Sequence, residues 1–200
     1  MPRLEFFFDC SSPWTYLAFE SLQTMLARTP ADVWYRPFLV GGVFNAVNPS
    51  VYENRERPVP AKARYYQKDL QDWARYVGIV IGSPPVFPVN SVRVMRGAFV
   101  AEEAGCLVAY ARAFFRAYWQ ELADISQPAV IAPIVASLGL EPQAFFTAIE
   151  QQEMKDRLRA NTDELIERGG FGSPTVFVDG NDMYFGNDRL PLVEARIRTT

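Results

Sequence analysis

The order of apolar runs and turn signals predicts an α/β fold interrupted by a large all-helical insertion. Three observations carry this. A short apolar run at residues 4–8 leads through Ser12-Pro13 into a stretch of helical period. Two more apolar runs flank Asp179-Gly180, a strong hairpin pattern. Between these ends lie roughly a hundred residues of helical spacing without strand alternation.

Residues 4–8 suit a strand buried on both faces. Pro13 fits the first turn of a helix, where its missing N–H costs nothing. Tyr16, Leu17, Phe19, Leu22, Met25 and Leu26 continue that helix with a 3.6-residue repeat, and Pro30 ends it. Residues 33–38 read as a second strand, giving a β-α-β unit with a right-handed crossover. From Gly41-Gly42 to Pro60 the chain reads as a polar loop without periodicity, of a length that is usually functional or mobile. Residues 62–76 form a helix with Tyr65, Tyr66, Leu70, Trp73 and Val77 on one side. Residues 84–91 are a rigid connector in which Asn90 or Ser91 caps the next helix. Leu107, Ala111, Phe114, Phe115, Tyr118 and Trp119 form an aromatic stripe that reads as core. Helices at 128–138, 142–151 and 153–168 complete the block, which Gly169-Gly170 closes. A hairpin at 174–185 follows, and Asn187 or Asp188 caps a last helix through Leu192, Ala195 and Ile197. The order β-α-β, helices, β-β-α is that of a thioredoxin fold split in sequence. Residues 1–60 and 171–200 form its two parts, and 61–170 form a helical insertion domain.

A hydrophobic share of 49% with 22% charged residues is ordinary for a soluble globular chain. The net charge of −3 gives no reason to expect nucleic acid or an anionic membrane as partner. No apolar run approaches the roughly 20 residues of a membrane span. The start of the chain lacks the apolar region of a secretory signal, so a cytoplasmic location is expected. The two cysteines, Cys10 and Cys106, read as free thiols, Cys10 packed beneath the first turn and Cys106 in a helical core. No metal site is expected. The absence of histidine excludes Ser-His-Asp and Cys-His catalysis. Chemistry must rest on hydroxyls, carboxylates, Lys, Arg, backbone amides or a borrowed reagent.

In redox proteins of this architecture a Cys-x-x-Cys opens the first helix and faces a cis-proline loop. Here the corresponding stretch is Ser12-Pro13-Trp14-Thr15. A hydroxyl there cannot exchange disulfides. It can cap the helix, or it can hold the sulfur of an incoming thiol, aided by unpaired amides and the helix dipole. Ser173-Pro174, before the hairpin, is expected to be the cis-proline loop, leaving the Ser173 N–H and C=O to pair with an extended peptide such as glutathione. Phe185, Gly186, Asn187 and Asp188 would present amides and a carboxylate to the peptide's other end, unless Asn187 or Asp188 is only a cap.

Six segments in order carry a resemblance. They are Phe8-Asp9-x-x-Ser12-Pro13-x-x-Tyr16-Leu17, Arg36-Pro37-Phe38-Leu39-x-Gly41-Gly42, Lys62 with Asp69-Leu70-x-x-Trp73-Ala74, Phe87-Pro88-x-Asn90-Ser91, Phe171-Gly172-x-Pro174-Thr175, and Gly186-Asn187-Asp188-Arg189-Leu190. Over essentially its whole length the chain resembles the 2-hydroxychromene-2-carboxylate isomerase and kappa-class glutathione transferase family, of the DsbA-like thioredoxin superfamily. The resemblance implies glutathione as cofactor, with Ser12 holding its sulfur and Ser173, Pro174 and 185–188 its peptide. It implies a small aromatic ketoacid as substrate, with Asn45, Asn54, Arg55, Lys62 and Asn90 as substrate-side candidates, although Asn45 stands where a lysine is expected. Relatives imply a homodimer. The implied reaction is reversible thiolate addition that isomerises the ring-opened ketoacid in aromatic catabolism. A kappa-type transferase, which would conjugate glutathione to an electrophile, and a non-catalytic binding module stay open.

Overall fold

The computed structural model describes residues 1–199. Its sheet has the order β2-β1-β3-β4, built from β1 (Arg3–Phe8), β2 (Asp32–Pro37), β3 (Thr175–Val178) and β4 (Asp182–Phe185). β1 pairs parallel with β2, which requires the crossover that α1 (Pro13–Leu26) supplies, and antiparallel with β3, which pairs antiparallel with β4. The two ends of the chain therefore meet in one sheet, Phe6 lying between Tyr35 and Val176.

β1 is central and apolar because both its faces are covered. Phe6 and Phe8 point toward the side covered by α1, Phe6 meeting Phe19 of that helix and Phe8 meeting Phe115 of the helical block. Phe7 points the other way into a second cluster with Phe38, Val43, Leu165 and Phe177. All three rings are fully buried, and each contributes about 1.5–3 kcal/mol of burial energy. Glu5 shares the face of Phe7 and is also buried. Its carboxylate is matched by Arg36 at 3.1 Å and by both terminal nitrogens of Arg168 at 3.1 Å.

Residues 41–60 depart from the expected loop. They form α2 (Val40–Val47) and α3 (Ser50–Glu56). Gly41-Gly42 reads as a breaker, but a Cβ on Gly42 would lie 3.1 Å from Thr162 Cγ2, so glycine here allows close packing of one helix on another. α3 buries no side chain, leaving no apolar repeat to detect.

The helical block comprises α4 (Pro60–Val77), α5 (Val92–Glu103), α6 (Leu107–Trp119), α7 (Pro128–Ser137), α8 (Pro142–Ile149) and α9 (Gln152–Glu167). The aromatic stripe on α6 is core, as expected. On α4, Leu70, Trp73 and Val77 pack against the core, whereas Tyr65 is 64% exposed and Tyr66 contacts Trp14. Cys106 is half-buried at the start of α6. The hairpin leads into a 3-10 turn (Asn187–Arg189) and α10 (Leu190–Arg198), whose cap position is Arg189, so neither Asn187 nor Asp188 caps it. Among the described residues no single helix is long and apolar enough to cross a bilayer.

Candidate active site

Ser12 occupies the N-cap of α1 because extended backbone at φ −103° ends the turn from β1 and Pro13 starts the helix. Its Oγ accepts from the Thr15 amide at 3.2 Å and donates to the Ser173 carbonyl at 3.3 Å. The Ser173-Pro174 peptide is cis, as expected, and this loop lies against the first turn of α1. Thr15, one turn after Ser12, shares a 2.6 Å hydroxyl pair with Ser173 Oγ. Both hydroxyls of the Ser-Pro-Trp-Thr turn thus meet residue 173. The Ser173 carbonyl is consequently engaged, whereas its N–H and the Trp14 N–H have no acceptor among the described residues. Unpaired donors in a first helical turn favour an anion.

The turn is fixed from beneath. Asp9, fully buried, accepts from Ser11 N at 2.9 Å and Val40 N at 3.0 Å, tying the end of β1 to the start of α2. Burial raises its carboxyl above the ordinary value, opposed by bonds from the Ser11 and Val40 amides and the Ser11 and Ser91 hydroxyls. Cys10 is also fully buried, its N–H directed to Met95 Sδ at 3.4 Å and its carbonyl to Trp119 Nε1 at 3.0 Å. Burial pushes its thiol well above the usual range, which leaves it inert.

Beside Ser173 lies a cavity of about 330 Å³, bounded by the cis-proline loop and Phe185, Gly186, Asn187, Asp188 and Arg189 on one side, and by Trp14, Asp69 and Trp73 on the other. Gly186 adopts φ 106°, a conformation that favours glycine, and so turns the chain from β4 into the 3-10 turn at the cavity wall. The structure brings together Ser173, Pro174 and 185–188 in the cavity wall, with Ser12 adjoining through Ser173.

Asp69, Trp73, Trp14 and Arg189 were not assigned to the site from sequence. A signal for Asp69 was present: Tyr66, Asp69, Leu70 and Trp73 form an i, i+3, i+4, i+7 stripe on α4, and a carboxylate interrupting an apolar stripe marks a polar lining.

The substrate-side candidates are more dispersed. Arg55 sits among aromatic rings, its guanidinium carbon 5.2 Å from the Phe87 centroid, 5.7 Å from Phe44 and 5.9 Å from Tyr52. Its charge is felt at the Tyr66 phenol, whose oxygen accepts from Trp14 Nε1 at 2.7 Å. Lys62, Asn54 and Asn45 are exposed, and their side chains make no hydrogen bond or ion pair among the described residues. Asn90 accepts from Val92 N at 3.1 Å and lines a different cavity. No group of three or more His, Cys, Asp or Glu among the described residues could hold a metal.

Residues 3–198 match the family model of the DSBA-like thioredoxin domain. A 2-hydroxychromene-2-carboxylate isomerase of Pseudomonas putida is 31% identical, over 96% of this chain and 92% of its own. Human glutathione S-transferase kappa 1 is 26% identical, over 96% of this chain and 90% of its own. A solved 2-hydroxychromene-2-carboxylate isomerase structure superposes with a TM-score of 0.84 at 29% identity, covering 98% of this chain and 95% of that one.

Proposed function

Because the chain belongs to the DSBA-like thioredoxin domain family and, within it, to the group of 2-hydroxychromene-2-carboxylate isomerases and kappa glutathione transferases, we propose that it is a glutathione-dependent isomerase of the 2-hydroxychromene-2-carboxylate type. Ser12 carries the reading. A hydroxyl caps the helix where a redox relative would carry a thiol, and the only nearby cysteine, Cys10, is sealed in the core.

The residues present fit glutathione. The unpaired Ser173 N–H suits the backbone of an extended peptide. Asp69 and Asp188 offer carboxylates to an ammonium, and Arg189 offers a guanidinium to a carboxylate. Ser12 and the Trp14 amide would receive the sulfur anion. The Ser12 hydroxyl has one proton to donate, so it must release the Ser173 carbonyl, a 3.3 Å bond that is long for an O–H donor. When bound, glutathione supplies a thiolate that adds reversibly to the conjugated carbon of the substrate, so that a double bond becomes rotatable before elimination returns it. Arg55 would orient the substrate carboxylate through its uncommitted N–H groups, with Lys62 adding charge and Asn54 and Asn45 polar contacts. Asn90 faces the other cavity and is left out of this role. The product would be trans-o-hydroxybenzylidenepyruvate, made in the cytoplasm by a homodimer engaged in aromatic catabolism.

One observation favours a kappa-type transferase: Asn45 removes a positive charge that an acidic substrate would use. Assays with 2-hydroxychromene-2-carboxylate and with a chloronitrobenzene separate the two. The isomerase reading expects turnover of the first that requires glutathione without consuming it. Stoichiometric glutathione loss with the second acceptor alone contradicts that reading and supports the transferase.

A further inference from the structure

The first turns of α5 and the segment before α7 border a second cavity, of about 320 Å³, which shares no lining residue with the first. Arg93 and Arg96, one helical turn apart on α5, both line it, together with Asn90, Ser126, Gln127 and Glu150. These two guanidiniums are poorly satisfied. Arg96 Nε is buried without a hydrogen-bond partner, so its terminal nitrogens are the ones that a ligand in the cavity can reach. Its Nη1 reaches Glu150 only at 3.5 Å, and Glu150 is divided with Lys155 at 3.6 Å. Arg93 Nη1 reaches the Ser126 carbonyl at 3.4 Å. Glu150 is the only carboxylate in the lining; nearby Asp124 is taken up by Ser126 and Gln127. The cavity thus carries an excess of positive charge on a chain whose net charge is −3.

We infer that this cavity binds a phosphate group, held by the forks of Arg93 and Arg96. Each guanidinium fork can take a pair of oxygens, and a tetrahedral phosphate offers oxygens to both forks where a carboxylate offers one pair. The second charge of a phosphate dianion strengthens its attraction to the two guanidiniums and also its repulsion from Glu150, which the two positive charges outnumber. The site is independent of glutathione chemistry, since the two cavities share no residue.

The test is calorimetric titration of the full chain with inorganic phosphate at constant ionic strength, with glycerol phosphate and malonate as parallel probes. Saturable phosphate binding is expected. Arg96→Gln should weaken it roughly tenfold or more, as loss of a charge-assisted bond does. Glu150→Gln should tighten it roughly two- to fivefold, since a repelling carboxylate is removed. Misfolding cannot produce that gain. Glutathione binding should be unchanged in both variants. Tighter binding of glycerol phosphate would identify an organic phosphate as the ligand, and equal binding the free anion. No saturable phosphate binding, equal affinity in all variants, or malonate binding more tightly than phosphate would each overturn the inference.

Discussion

At the thiol end of the candidate site three segments distant in sequence interlock through polar contacts, whereas at the acceptor end the candidate residues Asn45, Asn54, Arg55 and Lys62 are exposed with little to hold them. Ser12, Thr15 and Ser173 share two hydroxyl contacts, and Asp9 pins the turn to α2. Arg55 is steadied only by ring faces, and Lys62, Asn54 and Asn45 by nothing among the described residues. The difference separates the two tasks. Placing a sulfur anion needs a rigid, preorganised first turn on the sheet scaffold, while selecting an acceptor can be left to short helices that tolerate change.

Removing the central hydroxyl should break the thiol end most severely. Ser12→Ala is expected to lower kcat by about 10²–10³, the usual effect of deleting one donor to a developing or resident anion. Loss of the N-cap adds about 1 kcal/mol of destabilisation, so turnover must be measured per folded molecule. Thr15→Val should come next. It leaves the buried Ser173 hydroxyl without its 2.6 Å partner and should cost about 1–3 kcal/mol in chemical denaturation. An unchanged midpoint would mean that the interlock contributes nothing.

The acceptor end should respond differently. Arg55→Met should raise KM for an acidic acceptor about tenfold while leaving the glutathione dissociation constant within about a factor of two. A parallel loss of glutathione affinity would mean that the two ends are not separable. The smallest effect concerns pH. The Asp9 carboxyl binds its proton more tightly folded than unfolded, so its contribution to stability is full below the ordinary value of 3.8 and is lost as pH rises through the elevated folded value. Asp9→Asn should flatten that part of the stability profile, as read from denaturation midpoints across the acidic range.

The fold was legible because its signals were local and strong: the apolar runs of β1 and β3, the turn at Asp179-Gly180, and the α6 stripe. Ser12 and the cis Ser173-Pro174 loop were legible too, because Pro13 marks a helix start and Gly172-x-Pro174-Thr175 marks a loop before a strand. What escaped depended on tertiary contact. α2 contains Gly42, which the nearness of Thr162 explains, and α3 buries nothing that would leave a repeat. The α4 stripe groups Asp69 with Trp73 on one face, but that this face lies across the cavity from the hairpin is set by tertiary packing and not by the helical period. The Ser173 carbonyl, read as free, is engaged because the active-turn hydroxyl folds back on it.

The most direct measurement is the acidity of the glutathione thiol in its complex with the protein, followed by thiolate absorbance across pH. A bound thiol pKa well below the value of about 8.5 for a free cysteine thiol is expected, moving back toward that value in Ser12→Ala. A bound thiol that titrates like the free one, or equally in both proteins, would contradict it.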